Sequence, residues 1–296
     1  MASNMYRFMQ DVNGRLGTSF NDYDALYQWS VENIEAFWAE MWRFAGIKSS
    51  QDYDAVVDDL GKFPGAEWFP GSRLNFAENL LRYRDERTAL IFRGEDKVRR
   101  SLTYQELYAA TAKLAFALRQ AGVTAGDRVV GFMPNMPESI IAMLAATSIG
   151  ASWSSFSPDF GIKGVLDRFG QTGPKVLFTA DGYFFKGKAI DSLDRVAKIT
   201  SAIPSVEKVI VVPYTRSSAD IGGLRDAHHY ADFCANDARD IEFAQLPFGH
   251  PLYIMYSSGT TGLPKCMVQS AGGVLIHQMK ELFLHTDLKR EDTIFT

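Results

Sequence analysis

The sequence predicts an α/β fold: parallel sheets flanked by helices on both faces. From Asp127 onward, short β-prone apolar runs alternate with helical-period segments across short connections. The chain has 296 residues, 46% hydrophobic and 13% aromatic, enough for a large core in two lobes. Near the end, the apolar run Leu252 to Tyr256 leads straight into a tract of Ser, Gly and Thr. Parallel sheets bind their ligands just beyond the carboxyl ends of such strands.

Residues 1–21 show no clear period and are expected to be irregular. From Asp22 to Phe44 apolar residues recur at helical spacing: Leu26, Trp29, Ile34, Phe37, Trp38, Met41 and Trp42. One amphipathic helix is expected there, its stripe facing a core rather than a ligand, with Gly46 as the stop. Trp68 to Leu80 crosses the Pro70-Gly71 turn into a short helix. Thr88 to Phe92 and Val98 to Leu102 read as a hairpin turning at Gly94-Glu95-Asp96. Thr103-Tyr104-Gln105-Glu106 is a capping box, opening a helix that runs to about Ala121 before Gly122.

The alternation then begins. Strands are expected at Asp127 to Met133, Trp153 to Phe156, Lys175 to Thr179 and Lys208 to Val212. Helices are expected from Pro137 to Gly150, Ile162 to Gln171 and Ile190 to Ala202. Pro213 to Pro247 is the least regular stretch, and the pair His228-His229 reads as a solvated loop. Ala271 to Leu284 reads as a helix, and Thr293 to Thr296 as the start of a strand.

Composition excludes several classes. A formal charge of −4 does not suit non-specific nucleic-acid binding, which needs a basic face. No apolar run reaches the length of a membrane span, and no apolar segment follows the first residues as in a secretory signal. Two cysteines, Cys234 and Cys266, fit reduced thiols in a cytoplasm. Five histidines form no metal motif, and no metal ligand is assigned.

The chemistry concentrates in Leu252 to Lys265. Ser257, Ser258, Gly259, Thr260, Thr261 and Gly262 form a backbone free of bulk, able to turn several N–H groups toward an anion. Four hydroxyls add donors and Lys265 adds a full charge, a set suited to a polyphosphate. A flexible linker has the same composition, but a strand leads in here and Pro264-Lys265 closes the stretch. The P-loop of nucleotide hydrolases does not fit: Lys265 follows Pro264 rather than Gly, and Cys266 stands where Ser or Thr should hold magnesium.

Tyr-Ser-Ser-Gly-Thr-Thr-Gly-Leu-Pro-Lys, Tyr256 to Lys265, resembles the signature loop of the acyl-adenylate-forming (AMP-binding) enzymes. The resemblance implies the N-terminal part of that family's large domain. It also implies that the loop grips the β- and γ-phosphates of ATP while a carboxylate attacks the α-phosphorus, with Lys265 as the catalytic cation. Two positions depart from the pattern: Cys266 replaces the usual Gly, and Gln269 stands where CoA-ligase relatives carry His. Neither removes a phosphate donor; Gln269 bears on fine positioning.

Trp68 to Leu80 is similar to the N-terminal extension of short-chain acyl-CoA synthetases, which divides the chain into 1–86, the extension, and 87–296, the AMP-binding part. Trp153-Ser154-Ser155-Phe156-Ser157-Pro158-Asp159-Phe160-Gly161 resembles the acetoacetate-specific branch, implying Trp153 and Ser155 at the substrate pocket. Trp153 and Phe156 suit a core equally well. Ala180 to Lys188 aligns with a segment where acetate-specific relatives place Arg-x-x-Arg on the 3′-phosphate of CoA. Here those positions are Phe185 and Lys188, leaving Lys188, with Lys186, as the CoA contact; two solvated lysines in a turn is the equal alternative.

The implied partners are therefore ATP with Mg2+, CoA and acetoacetate, a substrate of ketone-body and lipid metabolism, with no nucleic acid and no membrane. Oligomeric state is open. The alternatives are another short-chain acyl-CoA synthetase, such as one for acetate, and a non-catalytic nucleotide-binding module. The family's adenine, ribose and magnesium motifs and its C-terminal catalytic Lys find no match before Thr296. The 296-residue chain by itself is therefore expected to release no pyrophosphate from ATP and acetoacetate; clear turnover in a pyrophosphate-release assay contradicts this.

Overall fold

The computed structural model describes residues 2–257 and 262–295. Packing divides the chain into two units. One comprises Asn75–Ala244 and Pro251–Gln269; the other comprises the residues up to Leu74, Gln245–His250 and those from Ser270 onward.

The larger unit is built on a seven-stranded sheet. In spatial order its strands are Ala227–His229, Lys208–Val212, Val176–Ala180, Arg128–Phe132, Ser152–Phe156, Pro251–Ser257 and Lys265–Ser270. The pairings among the first six are parallel. The side-chain period of two sends alternate residues to opposite cores. Val129, Trp153, Val176, Phe178, Ile210 and Val212 join one core, with Leu107, Leu114 and Leu118 of the helix Tyr104–Gln120 and Ile141 and Leu144 of Pro137–Ile149. Val130, Phe132, Leu177, Val209 and Val211 join the other, with Val165 and Phe169 of Ile162–Thr172 and Val196 and Ile199 of Leu193–Ala202. Both faces of the central strands are thus dry, which is why those strands read as continuous apolar runs.

Local signals hold where they are covalent neighbours. Thr103 Oγ1 accepts from the Glu106 N–H at 3.1 Å while Glu106 accepts from the Thr103 N–H at 2.8 Å, the reciprocal cap expected. The hairpin spans Thr88–Gly94 and Val98–Thr103. The helix Phe76–Leu80 starts at Asn75, whose Oδ1 accepts from the Glu78 N–H. The Asn75 amide, 1% exposed, also donates to the carbonyls of Thr147, Ser148 and Ala244. It thereby satisfies carbonyls that the end of Pro137–Ile149 leaves without helical partners.

Several expectations are corrected. Residues 1–21 are not irregular: a helix spans Asn4–Leu16, capped by Ser3 accepting from the Tyr6 N–H and closed by Gly17 at φ 68°. Its buried face is only Phe8, Met9 and Val12, too narrow a stripe to stand out. The single helix from Asp22 is two, Tyr23–Glu32 and Ile34–Phe44, broken at Asn33 (φ −124°, ψ 58°). A short amide side chain competes there for the helix backbone, and Asn33 Nδ2 donates to the Trp29 carbonyl at 3.1 Å. The helix expected from Ile190 starts at Leu193, because Gly182–Phe185 and Lys188–Asp191 form a hairpin first. His228 and His229 lie in the sheet-edge strand, not in a loop. Ala271–Lys280 is α-helical but Glu281–His285 continues as a π-helical turn, and Asp292 to Phe295 form no strand.

The smaller unit packs aromatic residues. Phe8 meets Phe37 and Phe44 edge-on, and Trp42 stacks on Phe69 at 4.8 Å. Phe248 closes this stack against Phe69 at 4.8 Å, which accounts for the aromatic stripe as core. No described helix is long and apolar enough to cross a membrane.

In the sheet, Trp153 lies across Gly131, where an added Cβ would stand 2.8 Å from the indole. Gly131→Ala should therefore destabilise the fold by about 1–3 kcal/mol through overpacking. Urea unfolding should show a lower midpoint with an unchanged slope; an unchanged midpoint contradicts the contact.

Candidate active site

The parallel strands all run toward one edge, where the chain leaves Phe132, Phe156, Ala180, Val212 and Ser257. Ser257, the first residue of the expected phosphate loop, ends its strand there. Ser258, Gly259, Thr260 and Thr261 lie outside the described residues. The chain resumes at Gly262 in the left-handed region, φ 87°, and Lys265 opens the last strand of the sheet. The tract is therefore bracketed by two hydrogen-bonded neighbouring strands, which place Ser257 and Lys265 at its two ends. Lys265 is exposed, and among the described residues no carboxylate pairs with it. An exposed ammonium at the end of this Ser/Gly/Thr tract suits a phosphate.

Three side chains that the sequence does not tie to this loop support it. Gln171 donates from Nε2 to the Pro264 carbonyl at 3.0 Å, fastening the loop's exit to the helix Ile162–Thr172. Phe156 packs against Tyr256 at 5.3 Å, just before Ser257. Arg168 lies over Phe156 and Phe160, its guanidinium 5.4 and 5.7 Å from the ring centroids. Burial pushes the Tyr256 phenol above its ordinary range, against the pull of the Ser154 and Thr172 hydroxyls beside it. Arg168 and Gln171 are one turn apart, but no sequence signal shows which face of their helix meets the loop.

The remaining candidates are spread out. Trp153 is 6% exposed and sits in the core with Phe178, while Ser155, two residues on along the same strand, is exposed. Lys186 and Lys188 are exposed at the tip of the hairpin Gly182–Asp191. The Lys186 ammonium stands 5.3 Å from the Phe185 ring. Among the described residues no three His, Cys, Asp or Glu side chains gather as a metal site.

Comparison with known proteins adds a family. The profile described as AMP-binding enzyme matches residues 76–296, and that of the acetyl-coenzyme A synthetase N-terminus matches residues 23–80. An acetoacetyl-CoA synthetase from Gallus gallus is 46% identical over 302 residues, covering 99% of this chain and 45% of that protein. One from Rhizobium meliloti is 46% identical over 298 residues, with 99% and 45% coverage. The solved structure of an acetoacetyl-CoA synthetase from Streptomyces lividans superposes with a TM-score of 0.90 at 40% identity, covering 97% of this chain and 44% of that one. The chain spans less than half the length of these relatives.

The two thiols give a direct probe of the loop. Cys266, next to Lys265, is exposed, whereas burial pushes the Cys234 thiol up to about 11. The thiolate is the nucleophile, so at pH 8 iodoacetamide should label Cys266 well before Cys234. Magnesium–ATP should slow labelling of Cys266 severalfold and leave Cys234 unchanged. Equal protection of both thiols, or of neither, argues against phosphate binding beside Lys265; peptide mass spectrometry reads the sites.

Proposed function

Because this chain belongs to the AMP-binding enzyme family, we propose that it is the N-terminal portion of an acetoacetate–CoA ligase. The observation that carries the reading is the tract from Ser257 to Lys265: its first residue ends a strand at the carboxyl edge of the parallel sheet, and its last pairs with no carboxylate among the described residues. The names and high identity of the relatives support acetoacetate as the acid. The division into an extension at 1–86 and an AMP-binding part at 87–296 belongs to the same proposal.

The chemistry follows from leaving-group ability. A carboxylate is a poor acyl donor because its leaving group would be oxide. Its oxygen attacks the α-phosphorus of ATP, pyrophosphate departs, and the acyl group is left on AMP. The CoA thiolate then attacks the acyl carbon and AMP departs. Ser257, Ser258, Gly259, Thr260, Thr261 and Gly262 surround the β- and γ-phosphates with donors. Lys265 neutralises charge that grows on pyrophosphate as it leaves. Magnesium, when bound to ATP, shares that charge. Lys186 and Lys188 meet the phosphate end of CoA, and Ser155 faces the acid. Trp153 acts from behind, holding its strand in place. A second reading, a nucleotide-binding module without turnover, rests on the same loop.

The test uses a protein of the relatives' full length. Acetoacetate should exceed acetate in kcat/KM; equal or better use of acetate overturns the assignment of the acid. Lys265→Ala should lower the adenylation rate about a hundredfold, as loss of one donor at a developing charge costs about 3 kcal/mol. Thioester formation started from acyl-AMP involves no pyrophosphate and should stay within about twofold. An equal fall in both half-reactions makes Lys265 a structural residue.

A further inference from the structure

Two hairpin tips far apart in sequence meet in the larger unit. Glu95 Oε2 accepts from the Gly187 N–H at 2.8 Å, across 92 residues. Glu95 turns the hairpin Thr88–Thr103, and Lys186-Gly187 turns the hairpin Gly182–Asp191. Resting on the proposed CoA role of Lys186 and Lys188, we propose that Glu95 is a positioning residue that shapes the Lys186–Lys188 turn to receive a phosphate monoester, the 3′-phosphate of CoA.

The turn residues show why the tip needs outside support. Lys186 and Gly187 both have positive φ, 51° and 76°, the pattern of a type I′ turn. Asn, Asp or Gly suits the first position; a lysine there costs about 1 kcal/mol. Nothing in the backbone calls for that side chain, so its charge is the feature to explain. Among the described residues no carboxylate pairs with Lys186 or Lys188, which leaves two exposed ammonium groups flanking one N–H. A hairpin with four residues in each strand is marginal alone.

Glu95 is well placed to hold it. Gly94 packs so closely on Tyr214 that an added Cβ would stand 2.1 Å from the phenol oxygen. Tyr214 lies 6.0 Å from Phe92 of one hairpin and 5.2 Å from Phe184 of the other. The two hairpins thus share one aromatic support, and the glutamate bond sets their tips relative to each other. On the outward face of the Glu95 hairpin, Arg93 and Arg99 are direct cross-strand partners, both exposed. Like charges placed opposite each other are unfavourable in themselves. They add two exposed cations to the hairpin that carries Glu95.

The test uses the 296-residue chain with adenosine 3′,5′-bisphosphate as the probe, in the wild type, Glu95→Ala, Glu95→Gln and Lys188→Ala. Glu95→Ala should speed hydrogen exchange of the Gly187 amide at least tenfold and weaken the probe's Kd at least fivefold, with the unfolding midpoint unchanged. Glu95→Gln keeps an acceptor oxygen and should restore both readouts. Lys188→Ala should weaken the probe without speeding exchange at Gly187. Unchanged affinity in Glu95→Ala beside weakened affinity in Lys188→Ala overturns the positioning role and leaves the CoA reading standing. A wild-type chain that does not bind the probe overturns the CoA reading of this turn and the positioning role with it.

Discussion

The carboxylate of Asp181 is the interaction on which one end of the sheet depends. It is fully buried at the end of the strand Val176–Ala180. It accepts from the N–H groups of Tyr214 and Thr215 at 2.5 and 3.0 Å and from the Thr215 hydroxyl at 2.7 Å, and it pairs with Arg216 at 3.2 Å. Its own N–H donates to the Val212 carbonyl, and its carbonyl accepts from the Ser192 N–H. A buried carboxylate is costly unless its lone pairs are met, and here they are. One residue therefore fixes where two strands stop, where the hairpin Gly182–Asp191 departs and where the helix Leu193–Ala202 begins. Tyr214, held through its N–H, is in turn the aromatic support shared by the two hairpins.

The sheet shows a second constraint, closeness. With both faces of the central strands covered, their inner side chains must fit a core, and Trp153 fits only because Gly131 offers no Cβ. The indole, for which the sequence left a pocket wall and a core place equally open, is buried in the core. Ser155 escapes to the surface because it stands two residues further along, where the strand approaches the carboxyl edge. A residue's role in such a sheet depends on its depth along the strand as much as on its face.

At the phosphate loop the two levels of description meet. Ser257 and Lys265 are positioned by strands, not by the loop itself, and strands hold position because their backbone groups are paired. Gln171 and Phe156 add contacts from neighbouring elements at the loop's exit and entrance. This gives a Ser/Gly/Thr-rich tract two ends fixed by paired strands.

The sequence by itself determined the features set by near neighbours in the chain. The capping box at Thr103, the turn at Glu95, the strands at Val129, Val176 and Val209, and the tract opening at Ser257 are all of this kind. Period-two and period-3.6 patterns, caps and turns act over a few residues, so they are legible in one dimension. Tertiary structure alone decided the entry of His228 and His229 into a sheet edge and the core place of Trp153. Each depends on a partner remote in sequence: Val209 to Val211 for the histidine strand, and Gly131 for Trp153. No local pattern carries that information, because the free energy lies in contacts that exist only once the chain has closed on itself.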